Sequence, residues 1–158
     1  MRQSDSQNRK SKVVRHTDLE VYQRAFKAAM DIFEASKTFP SEEKYSLTDQ
    51  IRRASRSVAA NVAEGWRKRR YAASFVSKLN DSEGEASETQ CWLQFAVECG
   101  YLKAGTARAL YRAYDEIIGM LRGMTLRQRE EVPGLSRDRA ASATPASMTA
   151  SRRRCSST

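Results

Sequence analysis

Apolar residues recur every three or four positions in four long segments of this chain, and that spacing admits few folds. On a helix, residues at such intervals line one face, which has to be buried against a partner. The spacing predicts helices over about residues 18–37, 47–64, 71–98 and 103–131. Four amphipathic helices with short connections favour an all-α fold, an antiparallel up-down four-helix bundle. The alternative is a helical array in which two or more chains complete the core.

Each helix has a predicted buried stripe, and the members of a stripe share one face. The stripes are Leu19, Tyr22, Phe26, Ala29 and Phe33 in the first helix; Leu47, Ile51, Ala54, Val58 and Val62 in the second; Phe75, Leu79, Ala86, Leu93 and Val97 in the third; and Ala107, Leu110, Tyr114, Ile117, Ile118 and Leu121 in the fourth.

Small polar residues and glycines mark the expected helix ends. Thr17 or Asp18 is placed to cap the first helix, and Ser46 to cap the second with Asp49 three residues on. Gly65 suits the left-handed position that ends the second helix. Gly100 is the corresponding end of the third.

Glycines also fall well inside two of the predicted helices. Gly84 indicates either a weak point in the third helix or a close approach by a neighbouring backbone. Gly119 and Gly123 lie one turn apart in the fourth helix, a spacing that permits a tight helix contact.

The net charge of +9 is concentrated at the two ends of the chain. Residues 1–17 carry five Lys or Arg and one Asp, and residues 133–158 carry five Arg and one Asp, so each end has +4. Residues 18–132 carry 18 basic and 17 acidic residues, a net +1. Neither end has apolar periodicity, so we expect a flexible basic arm over residues 1–17 and a disordered Ser/Arg-rich tail over 133–158, flanking the bundle. A basic balance favours nucleic acid as a partner; the alternative is that the ends only aid solubility.

Several classes of protein are excluded by the composition. No window approaches eighteen uninterrupted apolar residues, so no membrane span is expected, and the polar N-terminus does not look like a secretory signal. Cys91, Cys99 and Cys155 form no CxxC spacing and His16 is the single histidine, so no metal or other cofactor is expected. We expect a cytoplasmic protein.

The most prominent chemical feature is a group of seven cations, with Glu64 as the one acid among them, between positions 52 and 70. Its members are Arg52, Arg53 and Arg56 on the second helix and Arg67, Lys68, Arg69 and Arg70 at the turn that follows. Trp66 and Tyr71 flank the turn group, and aromatics beside cations can stack nucleic-acid bases. We interpret all seven as candidate phosphate-binding residues, with the turn group the stronger candidate. The alternatives are a solvated face, or salt bridges between protomers.

An acidic block on the third helix is relevant to the salt-bridge alternative. Asp81, Glu83, Glu85 and Glu88 could pair with the helix-two arginines within or between chains. A di-metal carboxylate site would instead need a Glu-x-x-His repeat, which is missing here, so no metal site is predicted.

No catalytic group is evident. Asn61 and Glu64 lie one turn apart near the end of the second helix, where we expect buried hydrogen bonds that fix a structural polar corner. Ser57 and Ser87 lack a candidate base, and the chain is not expected to be an enzyme.

Several separated motifs resemble one bacterial family. They are LTDQIRRA at 47–54, SVAANVAEG at 57–65, GEASETQ with the following Trp-Leu at 84–93, CGYL at 99–102 and DEIIGML at 115–121. They are similar to the four-helix bundle proteins encoded in intervening sequences of 23S rRNA genes, a family that also contains the accessory protein of diversity-generating retroelements. The resemblance implies an up-down bundle that assembles as a ring-like homopentamer. For the retroelement branch it implies binding of RNA or DNA and of a reverse transcriptase.

The chain departs from that family at two places. Ala59 stands where the family often has Pro, so the second helix is expected to be straighter, and the tail after Pro133 lies outside the family pattern. Taken together, the sequence predicts a non-catalytic module that binds nucleic acid. The alternative is a protein-interaction adaptor or structural oligomer, for example a partner of a reverse transcriptase.

Overall fold

The structure, a computed structural model, describes residues 13–131. Its helices are α1 (Glu20–Ala35), α2 (Asp49–Lys68), α3 (Ala72–Glu98) and α4 (Ala104–Glu131), with a short 3-10 turn at His16–Asp18 before α1. No strand occurs within these residues. The prediction of an all-α chain with four helices is confirmed. The predicted tail, and all but the last residues of the predicted arm, lie outside the described residues.

The predicted buried stripes hold for three of the helices. Every stripe residue predicted for α2 and α4 is buried, as are those of α3 up to Leu93. Val97, the last of the α3 stripe, is half-buried. These helices carry their large aliphatic side chains on one face, and that face is the one turned to the core.

The stripe predicted for α1 is right only in part: Ala29 is buried and Leu19 and Tyr22 pack against the core, but Phe26 is exposed. The core face of α1 is formed by Val21, Ala25, Ala28, Ala29 and Ile32. Small alanine side chains allow α1 to approach its neighbours closely, and the bulky Phe26 is turned outward.

The outward face of α1 is consequently apolar as well. Phe26 is 53% exposed and Met30 is exposed, while Tyr22 and Phe33 are half-buried. Tyr22 stacks on Phe26 with ring centroids 6.2 Å apart. The helix therefore carries apolar side chains on two adjacent faces, and the second is left uncovered in the single chain.

Hydroxyl groups form a polar layer in the middle of the core. Ser55, Ser82 and Thr89 are fully buried, and the Ser82 hydroxyl donates to the Val58 carbonyl at 2.9 Å. Tyr114 is also fully buried, and its hydroxyl has no hydrogen-bond partner among the described residues. Burial raises the pKa of Tyr114, against the smaller opposing effect of the nearby hydroxyls, so this side chain stays protonated.

Polar contacts between neighbouring helices follow a regular order. Between α3 and α4, Gln90 donates to Asp115 at 2.8 Å and Arg122 donates to Glu83 at 2.7 Å. Glu83 lies seven residues before Gln90 on α3, and its partner Arg122 lies seven residues after Asp115 on α4. Between α1 and α4, Arg24 pairs with Glu116.

The helix starts differ from the predicted caps. A π-helical turn, Lys44–Thr48, runs directly into α2, and the Asp49 N–H already bonds to the Lys44 carbonyl. Ser46 therefore has no helix start to cap, and its hydroxyl donates to Glu43 instead. The Asp18 carboxylate accepts the N–H groups of Val14 and Arg15 at 3.0 and 2.8 Å, so it holds the turn before α1 and does not cap the helix.

The two glycines expected at helix ends behave differently. Gly100 ends α3 with a φ of +76°, as predicted. Gly65 does not end α2, which continues to Lys68 in right-handed geometry. It is buried because α3 approaches here: a Cβ at this position would lie 3.2 Å from the Lys78 Cβ and 3.5 Å from the Phe75 ring.

The other helical glycines have open surroundings within the described chain. A Cβ on Gly84 or Gly119 would meet nothing within 4 Å, and one on Gly123 would meet the Arg127 guanidinium at 3.8 Å. The expected close approach at Gly84 and the tight contact at Gly119 and Gly123 are therefore wrong for the single chain, and α3 continues unbroken through Gly84.

The glycine pair Gly65 and Gly84 gives a matched test of this packing. Both lie in helix interiors, where Ala is favoured over Gly by about 0.5–1 kcal/mol. We expect G84A to raise the free energy of unfolding by that amount, and G65A to gain less or lose stability because Lys78 has to shift. Urea unfolding followed by circular dichroism measures both. Equal gains in the two variants would contradict the close approach of α3 at Gly65.

Candidate nucleic-acid interface

The corner between α2 and α3 gathers the turn cations. We call Arg67, Lys68, Arg69 and Arg70, with the flanking Trp66 and Tyr71, the corner cluster. Only three residues separate the two helices, and the Tyr71 N–H bonds to the Lys68 carbonyl at 2.8 Å. Cations at a helix C-terminus also compensate the partial negative charge of its free carbonyls.

Arg69 and Trp66 form a pair within this cluster. The guanidinium of Arg69 lies 4.3 Å from the centroid of the Trp66 ring and donates to the Trp66 carbonyl at 2.7 Å. A face of Trp66 is therefore already covered by a cation. Tyr71, which is 71% exposed, is the aromatic ring with room for a stacked base.

Lys68 is engaged by an acid. Its ammonium lies 2.6 Å from the Glu64 carboxylate, which also pairs with Lys78 of α3 at 3.0 Å. Lys78 in turn contacts Asp81 at 3.2 Å. Sequence reasoning missed Lys78, because a single lysine in a helix carries no local signal of what lies opposite it.

Because Lys68 is paired with Glu64, the cations of the corner cluster without an acidic partner are its arginines. Hydrogen bonds from Lys68 and Lys78 lower the pKa of Glu64, and the bond to Glu64 raises the pKa of Lys78. Arg67, Arg69 and Arg70 are exposed and have no carboxylate partner among the described residues. They are the cations of the corner that remain available to an anion.

The helix-two arginines lie apart from the corner. Arg52 is half-buried, donates to the Ser36 hydroxyl at 2.7 Å and has its guanidinium 5.0 Å from the Phe33 ring centroid. Arg56 lies 5.8 Å from the same ring, while Arg53 is exposed. The structure thus divides the seven predicted cations into two groups. Phe33 was missed as a platform for cations because its spacing assigned it to the core.

The acidic block has partners other than those expected. Glu83 pairs with Arg122 of α4 at 2.7 Å, and Asp81 with Lys78. No ion pair within 4 Å joins these acids to the helix-two arginines in the described chain. Burial, and then the charge of Glu88, raise the pKa of Glu85, against a smaller lowering by the charge of Arg53. No group of His, Cys, Asp and Glu residues within 13–131 is arranged to hold a metal ion.

The predicted polar corner is a surface feature. The Glu64 side chain is 45% exposed, so its contacts are ion pairs at the surface, and it ties α2 to α3 through Lys78. Asn61 is half-buried and lines a surface depression of about 340 Å³ together with Asp81, Gly84, Glu85 and Glu88.

A second feature is a groove of about 510 Å³ between α3 and α4. Leu93, Val97, Ala107 and Tyr111 supply apolar surface, and the charged residues Glu98, Arg108, Arg112 and Asp115 also line it. None of the helices within residues 13–131 combines the length and apolar character that crossing a bilayer requires.

Comparison with known proteins identifies relatives. Residues 17–123 match the family described as 23S rRNA-intervening sequence protein, which confirms the resemblance drawn from the motifs. Six solved chains match significantly. One is a crystal structure from Bacteroides thetaiotaomicron, described as a protein of unknown function from the S23 ribosomal protein family. The two sequences are 26% identical. The match covers 67% of this chain and 95% of the Bacteroides chain, with a TM-score of 0.61. No curated protein matches.

The ion pairs of Glu64 predict a pH-dependent effect on stability. Because the folded protein lowers the pKa of Glu64 from its usual 4.5, the carboxylate stabilises the fold above that pH and loses its contribution as pH falls through the folded-state pKa. We expect E64Q to lower Tm at neutral pH, with the difference from wild type shrinking in acid. E34Q is the control, since the partner of Glu34 among residues 13–131 is Lys37, three residues away on the same segment. If the Tm of E64Q stays below that of wild type by the same amount down to about pH 3, which is below the reference pKa of a glutamate, this role is contradicted.

Proposed function

Since this chain belongs to the 23S rRNA-intervening sequence protein family, we propose that it binds RNA or DNA, without catalysis, through its corner cluster. One observation carries the proposal: three arginines with no carboxylate partner in the described chain lie on one corner beside an exposed aromatic ring. Guanidinium groups suit phosphate because their planar donors match its oxygens. Tyr71 adds a surface on which a base can stack.

Arg53 and Arg56 extend this surface. Arg56 lies on the same face of α2 as Arg67, because eleven residues make about three helical turns, and Arg53 lies about 40° to one side of it. The guanidiniums of Arg52 and Arg56 lie 5.0 and 5.8 Å from the centroid of the Phe33 ring. Sequence preference is expected to be slight, because phosphate contacts carry no sequence information and no set of base-reading side chains accompanies them in the described part of the chain.

We further infer that the bundle is antiparallel and up-down. The opposed order of the contacts between α3 and α4, and of Ser82 with Val58 and Lys78 with Glu64 between α3 and α2, supports it. Short connections between successive helices support it as well.

Assembly into a homo-oligomer, as a ring-like pentamer, is part of the proposal. Exposed contiguous apolar surface on a small protein often marks an interface. The outward face of α1, with Tyr22, Phe26 and Met30, is such a surface here. A ring would repeat the corner cluster on each subunit, so that weak contacts combine through multivalency.

The second candidate function is that of a protein-interaction adaptor, for example a partner of a reverse transcriptase. The groove between α3 and α4 favours it, because an apolar surface bordered by charged side chains suits a partner helix. We also propose that the protein acts in the cytoplasm. The exposed thiols of Cys91 and Cys99, which form no disulfide, suit a reducing compartment.

Nucleic-acid binding is tested by removing charge at the corner. We expect R67A/R70A to weaken binding of a duplex, and to reduce the slope of log K against log salt by about 0.9 for each phosphate that is no longer neutralised. The matched control is R108A/R112A, which removes two exposed arginines elsewhere on the described chain. Fluorescence anisotropy with labelled RNA and DNA over a salt series measures both. Equal weakening in the two variants would assign binding to general charge, and no binding by the full chain at low salt would leave the adaptor function.

Assembly is tested by light scattering in solution. We expect a mass several times 17.9 kDa for the full chain. F26E/M30E should lower that mass, because it places charges on the outward face of α1. The control is Y45E, which adds a charge at an exposed aromatic residue outside α1. A monomeric wild type at micromolar concentration would refute the oligomer, and an unchanged mass for F26E/M30E would place the interface elsewhere.

A further inference from the structure

Arg52 and Arg56 form a cationic surface between α1 and α2. Their guanidiniums lie near the Phe33 ring, and no carboxylate among residues 13–131 lies within 4 Å of either one. Met30, three residues before Phe33 on the same side of α1, is exposed. We call these four residues the arginine face. It presents two cations without an acidic partner next to apolar side chains.

The surface depression of about 340 Å³ between α2 and α3 has the opposite charge, and we call it the acidic depression; it is lined by Asn61, Asp81, Gly84, Glu85 and Glu88. Glu85 and Glu88 form no ion pair within 4 Å in the part of the chain that the structure describes. Burial raises the pKa of Glu85, and repulsion by Glu88 adds to this, against a smaller opposing effect of Arg53. A Cβ on Gly84 would meet nothing within 4 Å, so the depression is open to a side chain from outside. A cation that enters it would relieve the repulsion between the two carboxylates.

The arginine face and the acidic depression lie at the same height along the bundle. The Ser82 hydroxyl bonds to the Val58 carbonyl, and contacts between α3 and α2 follow opposed order along the two helices. Three residues onward along α3 and back along α2, that order sets Glu85 level with Ser55, the neighbour of Arg56. The second acid and the second arginine of the two surfaces follow within one turn.

The two surfaces face in different directions. Arg56 lies on the side of α2 toward Phe33 of α1, whereas Asn61 lies toward α3 with the acids. Five residues along a helix correspond to about 140° around its axis. A single chain therefore cannot bring its arginines onto its own acids, but two copies placed side by side can.

We propose that the arginine face of one copy of this chain packs on the acidic depression of a second copy. The expected ion pairs join Arg52 and Arg56 of one copy to Glu85 and Glu88 of the other. This inference rests on the oligomer of the proposed function and adds to it the two surfaces that meet. In the assembly Arg56 serves this contact, while Arg53 and the corner cluster remain for nucleic acid. Charge pairs of this kind, beside an apolar contact, determine which surfaces of two proteins come together.

A contact between two different surfaces has consequences for the assembly. It is head-to-tail, so each copy keeps one surface for the next copy. Because the two surfaces lie at the same height, successive copies are related by a rotation without a shift along the bundle, which favours a closed ring over a helical filament. The groove between α3 and α4 is a poorer counterpart for the arginine face, because its two arginines offset its two acids.

The test exchanges one expected ion pair. R56E and E85K each place like charges opposite one another, so we expect either change to weaken self-association about tenfold or more. R56E/E85K restores opposite charges in reversed order and is expected to recover most of the lost affinity. The control is R56E/E98K, which adds the same cation in the groove between α3 and α4. Light scattering of the full chain over a dilution series, without nucleic acid, measures the mass, and circular dichroism checks that each variant keeps its helices.

Recovery in R56E/E85K and not in R56E/E98K supports the proposed contact, whereas equal recovery in both overturns it. If R56E and E85K each weaken association and the double variant does not recover it, the two surfaces do not meet and the inference is wrong. It is also wrong if neither change has an effect while F26E/M30E lowers the mass, which leaves the oligomer of the proposed function in place. A wild-type chain that is monomeric at micromolar concentration overturns this inference and the oligomer together, but not nucleic-acid binding by the corner cluster.

Discussion

The close approach of α3 to α2 at Gly65 is the contact on which the described architecture of the corner depends. A residue without a side chain lets the Phe75 ring and the Cβ of Lys78 approach α2 closely. Lys78 can then reach Glu64, and a connection of three residues is enough to join the helices. Because the connection is that short, four consecutive cations are presented at one corner. The candidate site is therefore a product of helix packing as much as of local charge.

The sequence predicts the parts of this fold that one periodic signal controls. The stripes of α2 and α4 are right because their large apolar residues fall on one face. The α1 stripe is right only in part because that helix has two apolar faces, and periodicity does not say which of them the alanines bring against the core. The prediction for Gly65 is wrong for a related reason. A glycine suits either a helix end or a close contact between helices, and which of the two applies depends on where the neighbouring helix lies.

In the candidate site too, some features follow from neighbouring residues in the sequence and others depend on contacts with other helices. The grouping of cations at positions 67–70 is visible in the sequence, but which of them keep free charge depends on contacts with other helices. Glu64 engages Lys68 from within α2, whereas Lys78 reaches it from α3. Arg52, equivalent to its neighbours by sequence, is held by Ser36 and Phe33 of a preceding segment. Local charge density thus identifies a region, and tertiary contacts select the residues within it.

The buried hydroxyls also determine how the helices are aligned along their length. A slide of one helix by one turn, about 5.4 Å, could keep most apolar contacts by exchanging one alkyl side chain for another. It would take the Ser82 hydroxyl from the Val58 carbonyl and set it against hydrocarbon, at a cost of about 1–3 kcal/mol for the unsatisfied group. Ser55 and Thr89, which bond to carbonyls of their own helices, would move relative to Tyr114 in the same slide. The layer therefore favours a single alignment among several that would bury similar apolar area, and it does so at the expense of some core stability.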